Sequence, residues 1–273
     1  MRTRCHNRWF PTWRVVRSWS SSSYGKSGFI LGILSHILQK DMPVALFSAA
    51  NSLDVKFVSR LTCAITNTPI GHSYEEKLWR IKSANIDKTP LYLNLNKKMT
   101  VSFIKEQTKK LKEKYISCLF IDTIQNLFDA EENGNTKEGM EKVCRELKIL
   151  AQELEIPVII TSELNRSPEH REGIEGKIPQ ICDLRSSSAI ESNADRVILL
   201  FRPEYYRIFM DEKGNDLRGT MNVIIAKNKF GAVNDCRLRF YPDRCQITDI
   251  EEMLEDKRTT SANNSCDTDE LPF

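Results

Sequence analysis

No Cys-x-x-Cys pair occurs anywhere in this chain, and it holds only four histidines. That shortage argues against a zinc site, which needs clustered thiolates and imidazoles. The eight cysteines (Cys5, Cys63, Cys118, Cys144, Cys182, Cys236, Cys245 and Cys266) are scattered. Cys118 and Cys144 sit in apolar surroundings and read as buried free thiols, as expected in a reducing compartment. No apolar run is long enough to cross a bilayer, since that takes about 20 residues; the longest, around Phe29–Leu38, is short and interrupted. The expectation is a cytoplasmic protein without a membrane partner. Internal repeats are absent too.

Acidic residues are missing from the first forty positions, which carry seven Lys and Arg. Residues 249–273 reverse this, with eight acids against two basic side chains. The net charge of +3 thus hides a basic head, a nearly neutral body and an acidic tail. A basic head suits nucleic acid or anionic lipid. An Arg- and Ser-rich start also resembles a transit peptide, but cleavage nearby would destroy the motif that follows within a few residues. The expected organisation is a basic segment over 1–12, one domain over 13–248 and a disordered acidic tail over 249–273.

What the body contains is alternation. "PVALFS" (43–48), "CLFID" (118–122), "IPVIITS" (156–162) and "RVILLF" (196–201) read as short strands buried on both faces, the mark of a parallel sheet. Helical spacing lies between them. In 137–154, Met140, Val143, Leu147, Leu150, Ala151 and Leu154 share one face. Gly28–Gln39 and Leu53–Asn67 also read as helices. The pattern predicts an α/β fold of βαβ units in a doubly wound sheet. "TMNVIIAKN" (220–228) and "CRLRFY" (236–241) have no helix between them and predict a terminal hairpin turning at "KFGAVN". Segments 128–136 and 166–186 read as irregular.

One motif carries chemistry. In "SSSSYGKSG" (20–28), Gly25, Lys26 and Ser27 directly precede an apolar helix. That is the working end of a phosphate-binding P-loop: backbone N–H groups at a helix N-terminus wrap a phosphate, a lysine bridges the outer phosphates, and a hydroxyl holds Mg²⁺. Ser23, Tyr24, Gly25, Lys26, Ser27 and Gly28 are the candidate nucleotide-binding residues. Ser20 stands where the motif expects its first glycine, and Arg14 and Arg17 sit awkwardly in "WRVVRSW", the expected preceding strand. On its own the motif is balanced by an ordinary turn-to-helix junction. A second feature tips the balance. Asp122 ends the apolar strand "CLFID", where P-loop ATPases place the acid that holds the Mg²⁺ shell.

Four ordered segments then resemble one family: "FIDTIQNL", "ELKILAQELEIPVIITSELNRSPEHR", "DLRSSSAIESNADRVILLFRPEYY" and "VIIAKNKFGAV". They look like the ATPase half of DnaB-type replicative DNA helicases, over roughly 13–248. The resemblance implies a RecA-like P-loop NTPase core, mostly parallel and flanked by helices, with a C-terminal β-hairpin. It also implies ATP and Mg²⁺ bound between neighbours in a ring of usually six subunits, and single-stranded DNA in the channel. Lys26 and Ser27 match the phosphate and Mg²⁺ residues, and Asp122 the Mg²⁺-shell acid.

Several matching positions depart from the pattern. Where the family has a water-activating glutamate in "FSLEMS", this chain has "FSAANS" (47–52) and Ala50. A glutamine that senses the γ-phosphate is here Glu163. The lysine and arginine finger of "KQR" become Lys227 and Lys229; Lys229 keeps the charge and loses the fork geometry. Ser186 and Ser188 replace a glutamate and a glycine. Phosphate binding is thus retained in essentials and the hydrolysis apparatus is altered.

Two function readings follow: an ATP-dependent replicative helicase domain, or a non-hydrolysing module that binds nucleotide and DNA and co-assembles with an intact helicase. A RecA-like recombination ATPase fits "RPEYY" and the "KNK" hairpin less well. DNA contact falls to 128–136 and 166–186, with Arg166, Arg171 and Arg185 as candidates; Lys177 reads as solvated. The closing "DTDELPF" resembles the tip of bacterial single-stranded-DNA-binding proteins and reads either as a docking tip for a replication partner or as a solubilising tail.

Overall fold

The computed structural model describes residues 15–19, 25–48, 55–69, 89–96, 99–111, 114–127, 136–184 and 187–250; at 15–19, 55–58 and 187 the description is of the backbone. Ser23, Tyr24, Ala50, Arg185, Ser186, nearly all of 128–136 and the tail beyond 250 lie outside the described residues.

Five strands form a parallel sheet: β1 (Val15–Trp19), β2 (Val44–Ser48), β3 (Leu91–Asn94), β4 (Cys118–Asp122) and β5 (Val158–Ser162). Their order is β1-β5-β4-β2-β3. The expected preceding strand forms despite its arginine, pairing Val15–Trp19 with Val158–Ser162. A second, antiparallel sheet runs β6 (Arg196–Phe201), β7 (Thr220–Asn228), β8 (Asp235–Tyr241) and β9 (Gln246–Asp249) in sequence order. "RVILLF" therefore corrects one expectation. This strand is buried, yet its hydrogen-bonded partner is β7 and the pairing is antiparallel. Its other edge lies alongside β1, which buries it like a member of the parallel sheet. The predicted hairpin is β7–β8, and β9 adds a third strand that the short "QITD" did not advertise.

Alternation along the parallel strands divides the core in two. Ala45, Phe47, Leu119, Ile121, Val158 and Ile160 face one way, toward α3 (Val101–Leu111), α4 (Lys137–Leu154) and α7 (Ser187–Asn193). Val44, Leu46, Cys118, Phe120 and Ile159 face the other, toward α1 (Lys26–Leu38) and α2 (Val55–Thr66). This is the doubly wound arrangement. The predicted face of α4 is the buried one, and Thr136 caps the helix by accepting from the Gly139 N–H at 3.1 Å.

Helix α1 differs from the others because it is packed on two sides. Ile30, Leu31, Leu34 and Leu38 meet the parallel sheet's core. Phe29 joins Leu200, Met221, Val223, Phe240 and Ile247 beneath the antiparallel sheet. Two glycines let that second sheet approach. A Cβ on Gly28 would stand 2.7 Å from Phe240 Cζ, and one on Gly32 would stand 2.9 Å from Ile247 Cγ1. The segment 166–186, expected to be irregular, contains α5 (Ser167–His170), α6 (Gly173–Lys177) and a 3-10 turn over Ile181–Asp183. Its base is closed by a Leu164–Leu184 bridge and by the Asn165 N–H donating to Asp183 O at 2.8 Å.

Overpacking at the α1 contact has a direct test. Gly32→Val should lose about 1–3 kcal/mol in urea unfolding, and Ile247→Ala in the same chain should recover part of that loss. Strict additivity of the two changes would show that the close approach is not what requires Gly32.

Candidate functional site

The site is assembled at the C-terminal ends of the parallel strands, where ligands of open α/β sheets bind. Ser48 ends β2 opposite Asp122, which ends β4. Trp19 ends β1 opposite Ser162, which ends β5. Gly25 then opens α1 in a left-handed conformation, φ 96° and ψ 14°. The N–H groups of a helix's first turn have no intrahelical acceptor, and this turn contains no acidic side chain to neutralise its positive end. A Cβ on Gly25 or Gly28 would meet the Phe240 ring, which packs against this turn.

Lys26 is buried, at 8% exposure. Burial lowers its pKa, and the charges of Asp122 and Glu163 act in the opposite direction. The chain thus places one lysine and two carboxylates, far apart in sequence, within one electrostatic neighbourhood. Ser27 is partly exposed beside Lys26.

Hydroxyl groups hold the Asp122 carboxylate, and an amide holds the backbone at Glu163. Asp122 Oδ1 accepts from Thr161 Oγ1, and from Thr123 Oγ1 at 3.2 Å. Gln125, buried in the 3-10 turn after β4, donates through Nε2 to Ser162 Oγ. Its Oε1 accepts the Glu163 N–H at 3.3 Å. One buried side chain therefore ties the end of β5 to the segment following Asp122. Sequence reasoning missed Gln125, although an amide three residues beyond a strand-terminal acid was visible in "DTIQNL".

A second omission is Arg202, which "RPEYY" contains without its role being recognised. Its Cδ lies 3.3 Å from where a Gly25 Cβ would stand, and Phe240 Cζ lies 3.5 Å from the same point. The guanidinium sits over the Phe240 ring at 4.8 Å and pairs with Glu204 at 3.5 Å. Together they wall one side of the glycine loop.

Lys227 and Lys229 are elsewhere. Met221, on the same strand as Lys227, touches the Gly25 position. Lys227 stands near the strand's other end, roughly 20 Å away at ~3.3 Å per residue. Lys227 Nζ donates to Glu191 O, and burial together with Lys229 lowers its pKa. Lys229 Nζ reaches Asp195 Oδ1 at 3.0 Å, and Lys148 Nζ reaches the same oxygen at 3.3 Å.

The basic candidates of 166–186 divide as well. Arg166 is exposed at the start of α5. Arg171 is turned inward, its Nη2 paired with the buried Asp183, which raises the arginine's pKa. Lys177, read as solvated, folds back to Glu169 O at 2.9 Å and lies over the Tyr206 ring at 5.9 Å. Among the described residues no helix is long and apolar enough to cross a membrane.

Comparison with known proteins agrees with this architecture. A Bacillus subtilis protein, "Replicative DNA helicase DnaC", is 30% identical over 244 residues, 86% of this chain and 52% of the relative. A Geobacillus stearothermophilus "Replicative DNA helicase DnaB" is 30% identical over 247 residues, with 86% and 52% covered. The chain thus spans about half the length of these curated relatives. A solved ATPase domain superposes with a TM-score of 0.76 at 25% identity, covering 88% of this chain and 86% of that one. The structure of a DnaB-like replicative helicase, solved with its interactions with primase, gives 0.74 at 26% identity, covering 86% and 57%. Residues 19–249 match the DnaB-like helicase C-terminal domain, and the chain belongs to that family.

Proposed function

We propose that this chain is the nucleotide-driven part of a replicative DNA helicase, binding ATP with Mg²⁺ at the loop that opens α1 and moving single-stranded DNA as a ring of like subunits. The observation that carries the reading is the buried Lys26 at an acid-free helix N-terminus, in the field of Asp122 and Glu163. A buried ammonium with open helix amides beside it suits a polyphosphate.

The residues present fit a magnesium ion. Asp122 is oriented by two hydroxyls, and Ser27 supplies a hydroxyl on the same edge. When bound, the metal would neutralise charge on the outer phosphates. Lys26 would hold the triphosphate end, and the α1 amides would take the inner phosphate. The Arg202–Phe240 wall would border the nucleotide beside Gly25.

Lys227, near the end of β7, and Lys229, just past it, are too far from their own loop to serve it, so they suit the nucleotide of an adjacent subunit. Among the described residues of its segment Arg166 is the exposed arginine and the better candidate for a DNA phosphate, since Arg171 is committed to Asp183. Arg185 belongs to the same proposal from sequence. The second reading, a non-hydrolysing partner of an intact helicase, rests on Ala50, which cannot accept a proton.

Lys26→Met should weaken nucleotide binding about 10–100-fold, the size of a lost hydrogen bond to a charged group. Because burial makes the ammonium costly in the nucleotide-free protein, the variant should melt no lower than wild type. Titration with a fluorescent ATP analogue and a thermal melt check both halves. Trans action has its own test. Lys26→Met and Lys229→Ala should each be nearly inactive alone, and mixing them should restore ATPase activity through interfaces that combine an intact loop with an intact Lys229. Absence of any recovery in rings shown to have exchanged subunits would place Lys229 in cis or outside the reaction.

A further inference from the structure

We propose that Glu163 is the general base that takes the proton from the attacking water, the task that Ala50 cannot perform. This inference rests on the ATPase reading above and adds the residue that makes hydrolysis feasible in this chain.

Position is the first argument. Glu163 directly follows Ser162, which is in register with Trp19 at the end of β1, the strand leading to the glycine loop. On its other side is β4, whose terminal Asp122 is held by Thr161 two residues before Glu163. Glu163 therefore leaves the sheet between the strand that leads to the phosphate loop and the acid suited to the metal. A base for an in-line water has to stand near the γ-phosphate end of the loop, and Lys26, the residue suited to that end, lies within reach of the Glu163 charge.

The second argument is rigidity. A proton acceptor works when its position is fixed relative to the water it serves. Gln125 fixes the backbone that carries this residue, accepting the Glu163 N–H and donating to Ser162 just before it. Gln125 and Ser162 are buried, so the bond between them is shielded from competing water.

Charge is the third. A carboxylate close to a triphosphate would ordinarily be expelled. Here the Lys26 ammonium lies within its field, a positive charge that offsets part of the repulsion. At this edge the chain replaces the resembled glutamine with Glu163, while the resembled glutamate is Ala50. The acidic group is thus carried by β5's end in place of the segment after β2.

The step balances without a further reactant. A water proton moves to a Glu163 carboxylate oxygen as the water oxygen forms a bond to the γ-phosphorus. The bond from that phosphorus to the bridging oxygen breaks, and its electron pair leaves with ADP. The proton then passes from Glu163 to the phosphate product.

The test uses the full chain with Mg²⁺ and single-stranded DNA. Two quantities are measured for wild type, Glu163→Gln, Glu163→Asp and Glu163→Gln/Ala50→Glu: affinity for a non-hydrolysable ATP analogue, and the rate of ATP turnover. Thermal melts confirm that each variant is folded. Glu163→Gln should bind the analogue within about threefold of wild type while kcat falls about 10²–10⁴-fold. Glu163→Asp should keep affinity and lose less, and Ala50→Glu should return part of the rate to Glu163→Gln. Turnover within about threefold of wild type in Glu163→Gln overturns the proposal. So does a fall in analogue affinity that accounts for the whole rate loss, or a wild type that binds the analogue and never hydrolyses ATP. A wild type that binds no nucleotide at all defeats the ATPase reading itself, a result distinct from the other three.

Discussion

Everything at this site depends on the double burial of α1. A helix packed on one sheet keeps a polar face and can shift along its groove. This one is clamped between the parallel sheet and the antiparallel sheet, so that only a few of its side chains, such as His36, reach solvent. The clamp requires apolar residues nearly all round and glycines where the second sheet presses closest. It also fixes where the helix begins. The proposed phosphate site would be made of backbone amides without side-chain adaptability, so its accuracy would be that of the helix end, which is held by packing on both flanks.

The charged groups around that end are arranged by the ends of strands. Parallel pairing brings the C-terminal residues of β1, β2, β4 and β5 to one edge without any local sequence signal. Two threonines, Thr161 and Thr123, then orient the Asp122 carboxylate, and Gln125 holds the backbone at Glu163. Burying Lys26 costs the fold, since desolvation outweighs the two carboxylates that favour its charge. Such a cost at neutral pH is expected where a group is kept for a ligand and not for the fold.

Much of this is legible in the sequence because it rests on local pattern. The buried runs "VALFS", "CLFID" and "VIITS" and the stripe of α4 follow directly from side-chain periodicity, whereas the glycine loop before α1 needs Asp122 beside it to be told from an ordinary turn-to-helix junction. The elements that escaped notice have weak patterns. Strand β3, "LYLN", is a half-buried edge of the parallel sheet, and α3 carries only Val101, Ile104 and Thr108 as buried contacts. The direction of β6 was misjudged for a different reason. Burial on both faces normally signals parallel neighbours, and here it arises because an antiparallel sheet continues past the edge of β1. Arg171 and Lys177 show the same limit at the site. Composition marks a basic segment, but whether a cation points to solvent or to Asp183 depends on a closure between Leu164 and Leu184 that no local pattern encodes.

The far end of β7 shows how a cation can be held and still be exchangeable. Asp195 is buried, and a buried carboxylate that loses its only partner is strongly destabilising. Two lysines share it, however: Lys148 from α4, with a side chain 25% exposed, and Lys229, 39% exposed. Removing Lys229 from the carboxylate leaves Lys148 in place, so Asp195 keeps an ionic partner throughout. The lysine nearer solvent is therefore the one whose departure costs less, and it belongs to the hairpin between β7 and β8, not to the packed helix. A ring in which one subunit's Lys229 leaves Asp195 for its neighbour's nucleotide would need that asymmetry. The shared carboxylate provides it without a change in the core.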